Sequence, residues 1–187
     1  MRSALFYLKI CPVLVCAAAS LLPEKAAFAT TLNFSATLTN VTCSISLDKS
    51  TLPLGNITIS ELQPEKLLKA QPFILSVRDC AGATGGSDTP IVMIRGDGVS
   101  QDNKWLFRNA GSANNVGIVV IKSDVPPSYS QPEIKNETSL SLSSAGQIPA
   151  DQTFTFYAGA SCGGTSGCTS IGSGSVTASL YFTFEYQ

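Results

Sequence analysis

VTASLYFTFEYQ, residues 176–187, is the stretch from which the fold of this chain is read. Val176, Ala178, Leu180, Phe182, Phe184 and Tyr186 alternate with Thr177, Ser179, Thr183 and Glu185, the period of two that marks a β-strand with one buried face. No other run in the chain keeps that period as long. The sequence stops at Gln187, so no later segment is offered to the outer edge of this strand, and an unpaired edge invites a strand from a partner. The plain alternative is the last strand of a closed sandwich, and this stretch alone does not choose between the two.

Just upstream, 161–174 is a Gly- and Ser-rich loop that holds Cys162 and Cys168 and ends at Gly174. Further back, 153–160 places Phe154, Phe156 and Ala158 on one face, 138–142 is a short strand, and the apolar, β-branched run 116–122 predicts a buried strand. Residues 125–133, with Pro126, Pro127 and Pro132, read as loop, and 105–107 as edge or loop with Trp105 filling core. A strand over 90–95 runs into Gly96-Asp97-Gly98, a combination suited to a turn with positive φ. Phe73, Leu75 and Val77 alternate into Cys80, and 64–68 predicts a helical turn started by Pro64. Val41, Cys43, Ile45 and Leu47 form one more alternating run, preceded by Leu32, Phe34, Ala36 and Leu38. Six or seven strands at this spacing, without a long helical period, predict an all-β sandwich.

The N-terminus reads differently. Arg2 and Lys9 give a basic start, 10–22 is an apolar run broken only by Pro12, and Ala27-Phe28-Ala29 offers small residues where a signal peptidase cuts. Cleavage after Ala29 is expected, with 1–29 a removed signal peptide rather than a membrane anchor. Of 187 residues, removing 29 leaves 158, one domain with room for a core, carrying 9 basic and 12 acidic residues. A net charge of −3 on that remainder points away from nucleic acid as a partner.

Four cysteines lie beyond the cut, and in an exported protein an even number reads as disulfides. Four cysteines allow three pairings, of which proximity favours Cys162 with Cys168, leaving Cys43 with Cys80. Four unequally spaced thiols on an oxidising route are not expected to hold a metal. The chain has no histidine, which removes His-assisted nucleophilic catalysis and His-containing zinc sites. No nucleophile elbow, phosphate-cradling loop, Ser-x-x-Lys pair or calcium loop is present. Asp97 and Asp102 read as solvated turn carboxylates rather than an acid–base pair. Arg95-Gly96-Asp97 spells a receptor-binding tripeptide, but its Gly and Asp already have a turn to make. Neither an enzyme nor a cofactor is expected.

Taken together, the signal peptide, the alternating arm before Cys43, F-x-L-x-V-x-x-C over 73–80, Gly174 and the penultimate Tyr186 resemble the pilin subunits of chaperone–usher fimbriae, nearest to short minor subunits of the type 1 kind. The resemblance implies an incomplete immunoglobulin-like sandwich lacking its seventh strand. It implies a donor-strand extension at 30–39, with Leu32, Phe34, Ala36 and Leu38 entering a neighbour's groove, and a pilin domain over 40–187. It also implies that Gly174, Val176, Ala178, Leu180, Phe182, Phe184 and Tyr186 border an acceptor groove filled first by a periplasmic chaperone, whose basic residues grip the carboxylate of Gln187. A neighbouring subunit's arm then replaces the chaperone at an outer-membrane usher. Expected partners are thus chaperone, usher and neighbouring pilins, with any host-cell surface met only indirectly, and the destination is a fimbrium on the cell surface. The chain departs from the pattern in carrying Ala36 where glycine is usual and in having only 13 residues, 30–42, before Cys43. A minor or adaptor subunit is the expected role. The alternative is a self-contained, secreted immunoglobulin-like binding module or adhesin.

Overall fold

A computed structural model describes residues 41–109 and 113–187, all within one compact unit. The expected signal peptide over 1–29 and arm over 30–39 lie outside the described residues. Nine strands are present among those described: β1 Val41–Leu47, β2 Leu68–Gly82, β3 Pro90–Arg95, β4 Gly98–Gln101, β5 Lys104–Phe107, β6 Gly117–Lys122, β7 Thr138–Ser141, β8 Gln152–Ser161 and β9 Tyr181–Tyr186. They form a six-stranded sheet in the order β1-β2-β8-β6-β5-β4 and a three-stranded sheet in the order β7-β3-β9, with antiparallel pairing throughout.

The core lies between the sheets. Phe73, Leu75 and Val77 of β2 meet Val92 and Ile94 of β3, with Phe107, Val120 and Phe156 filling the space between. Alternation explains β2, where every second side chain faces inward. The β6 run GIVVIK is apolar on both faces for a separate reason. Val120 enters the core, while Val119 and Ile121 join Leu106 on the outer face of the large sheet, covered by Leu67 and Tyr129. The architecture is an incomplete immunoglobulin-like β-sandwich whose small sheet stops at β9.

Local expectations failed in four places. Residues 64–68 form no helical turn: Glu65 has φ 59°, outside the helical region, and Leu68 already begins β2. The short helical element is instead a 3-10 turn, Ile59–Glu61, where the Thr58 N–H donates to Glu61 Oε2 at 2.6 Å. Neither Gly96 nor Gly98 has positive φ. They are glycine because a Cβ would lie 2.6 Å from the Ser179 carbonyl oxygen at Gly96 and 2.5 Å from that of Leu106 at Gly98. Positive φ falls on Asp102 (51°) and Asn103 (63°), a two-residue hairpin turn between β4 and β5. Lys104–Phe107 is therefore a strand inside the sheet, with Leu106 and Phe107 buried. Finally, nine strands replace the six or seven counted, since β4 and β5 are too short to show a period.

Candidate functional site

The alternating C-terminal run divides into two parts. β9 pairs with β3 from Pro90 opposite Tyr186 to Arg95 opposite Tyr181, and its other edge has no ladder partner among the described residues. Beyond Arg95 the β3 chain turns away, so 176–180 lacks a ladder and is held by Asn109 instead. The Asn109 N–H donates to the Thr177 carbonyl at 2.7 Å, and the Ser179 N–H donates to Asn109 Oδ1 at 3.1 Å. The expected strand over 176–187 is thus a six-residue strand preceded by an anchored extended segment.

Side-chain alternation survives this division. Ala178, Leu180, Phe182 and Phe184 all pack on the core, yet each is only half-buried, as are Val176 and Tyr186. What leaves them half-covered is an open groove of about 920 Å³. One bank is 171–182; the other is the irregular segment between β1 and β2, carrying Leu52, Leu54, Ile57, Ile59 and Leu62. The floor is Phe73, Val116, Ile118, Val120, Ala158 and Ala160. A second hollow of about 320 Å³, bordered by Ile45 and Leu75, shares Leu47, Ser50, Leu180 and Phe182 with the first.

Aromatic packing stiffens the floor. Phe73 stacks on Phe156 with centroids 5.3 Å apart, and Phe182 meets Phe73 edge-on at 6.2 Å. Among the described residues lining the main groove Lys49 is the one charged side chain, and it is engaged: its Nζ donates to the Pro72 carbonyl at 2.8 Å and pairs with Asp48 at 3.1 Å. A half-covered apolar floor beside a free strand edge is fitted to take an extended chain. Its main chain would bond to the edge while alternate side chains enter the groove.

The end of β9 is tied down. The Tyr186 hydroxyl donates to the Val41 carbonyl and accepts from the Val41 N–H, and its ring meets Phe184 edge-on at 5.3 Å. Gln187 exchanges main-chain bonds with Thr89 at 3.0 and 2.8 Å. On the outer face Arg95 pairs with both Glu185 oxygens, Nη2 to Oε2 at 3.1 Å, which holds the Glu185 carboxyl below its usual range. That pairing also engages the first residue of the tripeptide. Arg95 is taken by Glu185, the Gly96 N–H donates to Asn136 Oδ1 at 3.0 Å, and the Asp97 carbonyl accepts from the Arg108 N–H at 3.0 Å.

Two disulfides are formed. Cys43–Cys80 joins β1 to β2, and Cys162–Cys168 closes the loop after β8. Gly174, at φ 151°, lines the groove bank. Asp102 is not paired with Asp97; its Oδ2 accepts the Gly167 N–H at 2.8 Å. Among the described residues no group of three His, Cys, Asp or Glu side chains is arranged to hold a metal. Leu32, Phe34, Ala36 and Leu38 lie outside the described residues. The bank at 52–62 escaped the sequence reading because its apolar residues follow no period; their density in a segment without strand or helix signals was the available clue.

A family model described as Fimbrial protein matches residues 32–187, and the chain belongs to that family. It is a pilin, a structural subunit of a surface fimbrium that associates with other pilin subunits. Among solved structures it is similar to the crystal structure of the P pilus rod subunit PapA, with 18% identity, a TM-score of 0.45, and coverage of 76% of this chain and 99% of that one. No curated protein sequence matches the chain.

Proposed function

We propose that this pilin is assembled by donor-strand exchange, delivered by a periplasmic chaperone to an outer-membrane usher, as a minor or adaptor subunit of the fibre. The observation that carries the reading is the edge of β9 that has no ladder partner among the described residues, beside an apolar groove with Ala178, Leu180 and Phe182 half-covered along it. A chaperone strand occupies this groove first, and the N-terminal arm of the next subunit replaces it. The border is Gly174, Val176, Ala178, Leu180, Phe182, Phe184 and Tyr186, with the carboxylate of Gln187 met by basic chaperone residues. Leu32, Phe34, Ala36 and Leu38 form the arm that this subunit inserts into its own neighbour, after removal of 1–29. Burying four or five apolar side chains at roughly 1.5–3 kcal/mol each, together with main-chain pairing, makes the exchange hard to reverse. The resemblance to short minor subunits supports the minor or adaptor place, while the 13 residues before Cys43 make a short arm even for such a subunit.

The test is periplasmic expression with and without a fimbrial chaperone, followed by a peptide copying a neighbour's arm. Accumulation only with the chaperone, and peptide displacement to a heat-stable monomer, is the expected result. A chain that is soluble and cooperatively folded alone, unaffected by deleting 30–38, would sink the reading and favour a self-contained binding module.

A further inference from the structure

Resting on the reading that the residues before Val41 are a donated arm, we propose that Tyr186 is a positioning residue for that arm. Its hydroxyl clasps the arm at the root, so the junction with the subunit that receives the arm is stiff. The sequence makes Tyr186 the last member of the alternating groove strip, yet it lines neither hollow. It lies past their end, where β1 begins.

β1 is an edge strand of the six-stranded sheet, with β2 as its ladder partner. The N–H and C=O of one strand residue leave the strand on the same side, and both groups of Val41 are taken by the Tyr186 hydroxyl. A hydroxyl donates and accepts through a single atom, so one oxygen does for Val41 what a paired strand would do. That oxygen is itself fixed. Tyr186 pairs opposite Pro90, its ring lies edge-on to Phe184, and Gln187 beyond it exchanges two main-chain bonds with Thr89. The first residue of an edge strand ordinarily frays, but Val41 is 3% exposed and bonded across to the other sheet. Thr42 then pairs with Ala81, and Cys43 is crosslinked to Cys80. With Leu38 the last side chain to enter the neighbour, Thr39 and Asn40 alone separate that neighbour from a fixed residue. Such a tether spans at most about 10 Å and leaves the two bodies little room to tilt.

The experiment uses the full chain purified as its chaperone complex, with nitroxide labels on Thr39→Cys and Ser139→Cys, the latter exposed on β7. The distance distribution between the labels is read by pulsed electron paramagnetic resonance, and amide hydrogen exchange at Val41 is followed alongside. Wild type is expected to give one narrow distribution. Tyr186→Phe keeps the ring and removes the clasp, and is expected to broaden the distribution about twofold and to speed Val41 exchange about tenfold. Gly55→Ala, strained elsewhere by its φ of 73°, controls for lost stability and is expected to keep the wild-type width. A Tyr186→Phe distribution as narrow as wild type overturns the proposal whatever the exchange rate, and so does equal broadening in Gly55→Ala. Should Tyr186→Phe fail to fold, wild type is compared with a chain carrying two glycines inserted between Asn40 and Val41. A wild type as broad as that insertion overturns the proposal, and a narrower one supports it. A wild type that binds no chaperone and folds alone sinks the donated-arm reading; the clasp is then judged on the free chain by the same label widths.

Discussion

The hydroxyl of Tyr186 is bonded to both main-chain groups of Val41, joining the end of the last strand to the start of the first across 145 residues of chain. Tyr186→Phe keeps the ring against Phe184 and leaves both Val41 groups without that partner. A loss of about 1–2 kcal/mol is expected, read as a lower urea midpoint at unchanged slope.

Phe182 forms the wall where groove and core meet, edge-on to Phe73 and 6.0 Å from Phe156. Phe182→Ala should destabilise the folded subunit by about 2–3 kcal/mol, below the cost of truncating a fully buried phenylalanine because one face is open. Its neighbour Tyr181 points outward and is 65% exposed, so Tyr181→Ser should stay within about 0.5 kcal/mol of wild type. Equal losses at the two positions would contradict the alternation.

Glu133 predicts a pH dependence. Burial raises its carboxyl pKa, but the Lys104 ammonium, 2.9 Å away, and the Trp105 N–H outweigh this and bring the net value below its ordinary 4.5. A depressed folded value contributes stability in full above the unfolded pKa, and that contribution is lost as pH falls through the folded one. Glu133→Gln should therefore cost about 2 kcal/mol at neutral pH, because Lys104 is left nearly buried without its counter-charge. Chemical denaturation at a series of pH values should show that gap closing below about pH 4.

Gly96→Ala drives a methyl group toward the Ser179 carbonyl oxygen, a main-chain atom of the groove bank. A cost of about 2 kcal/mol is expected, with loss of protection at the Ser179 amide. Gly55→Ala meets no neighbour within 4 Å and is strained only by its φ of 73°, so about 1 kcal/mol is expected there.

Cys43→Ala/Cys80→Ala opens a loop with a separation of 37 residues, which the chain-entropy account values at about 3–4 kcal/mol. The Cys162–Cys168 loop, separation 6, should yield a smaller loss, about 2–3 kcal/mol. Reversal of that order in thermal unfolding would show that the short crosslink acts on more than loop entropy.

What the chain discloses in sequence is what one period can carry. β2, β3, β6, β8 and β9 are legible because their inward residues alternate or run apolar together. The β4–β5 hairpin was hidden by Asp102-Asn103, which adopts positive φ without the glycine that usually marks such a turn. Gly96 and Gly98 misled for the opposite reason: they yield space to Ser179 and Leu106 rather than turning the chain. Half of the groove was visible, since its strand bank alternates, whereas the bank at 52–62 is shaped by packing against distant residues and has no local signature.

The crosslink between Cys43 and Cys80 also has a mechanical meaning. A pull on the main chain N-terminal to Val41 reaches the described part of β1 at its pairing with Gly82. Among the described residues, only Val41 and Thr42 can be peeled from β2 before the load meets a covalent bond. From Cys80 the force spreads into the whole length of β2, whose ladder with β8 must then be sheared as a unit rather than unzipped one bond at a time. Were the N-terminal arm the link to a neighbouring subunit, as proposed above, the crosslink would reinforce the chain where tension enters.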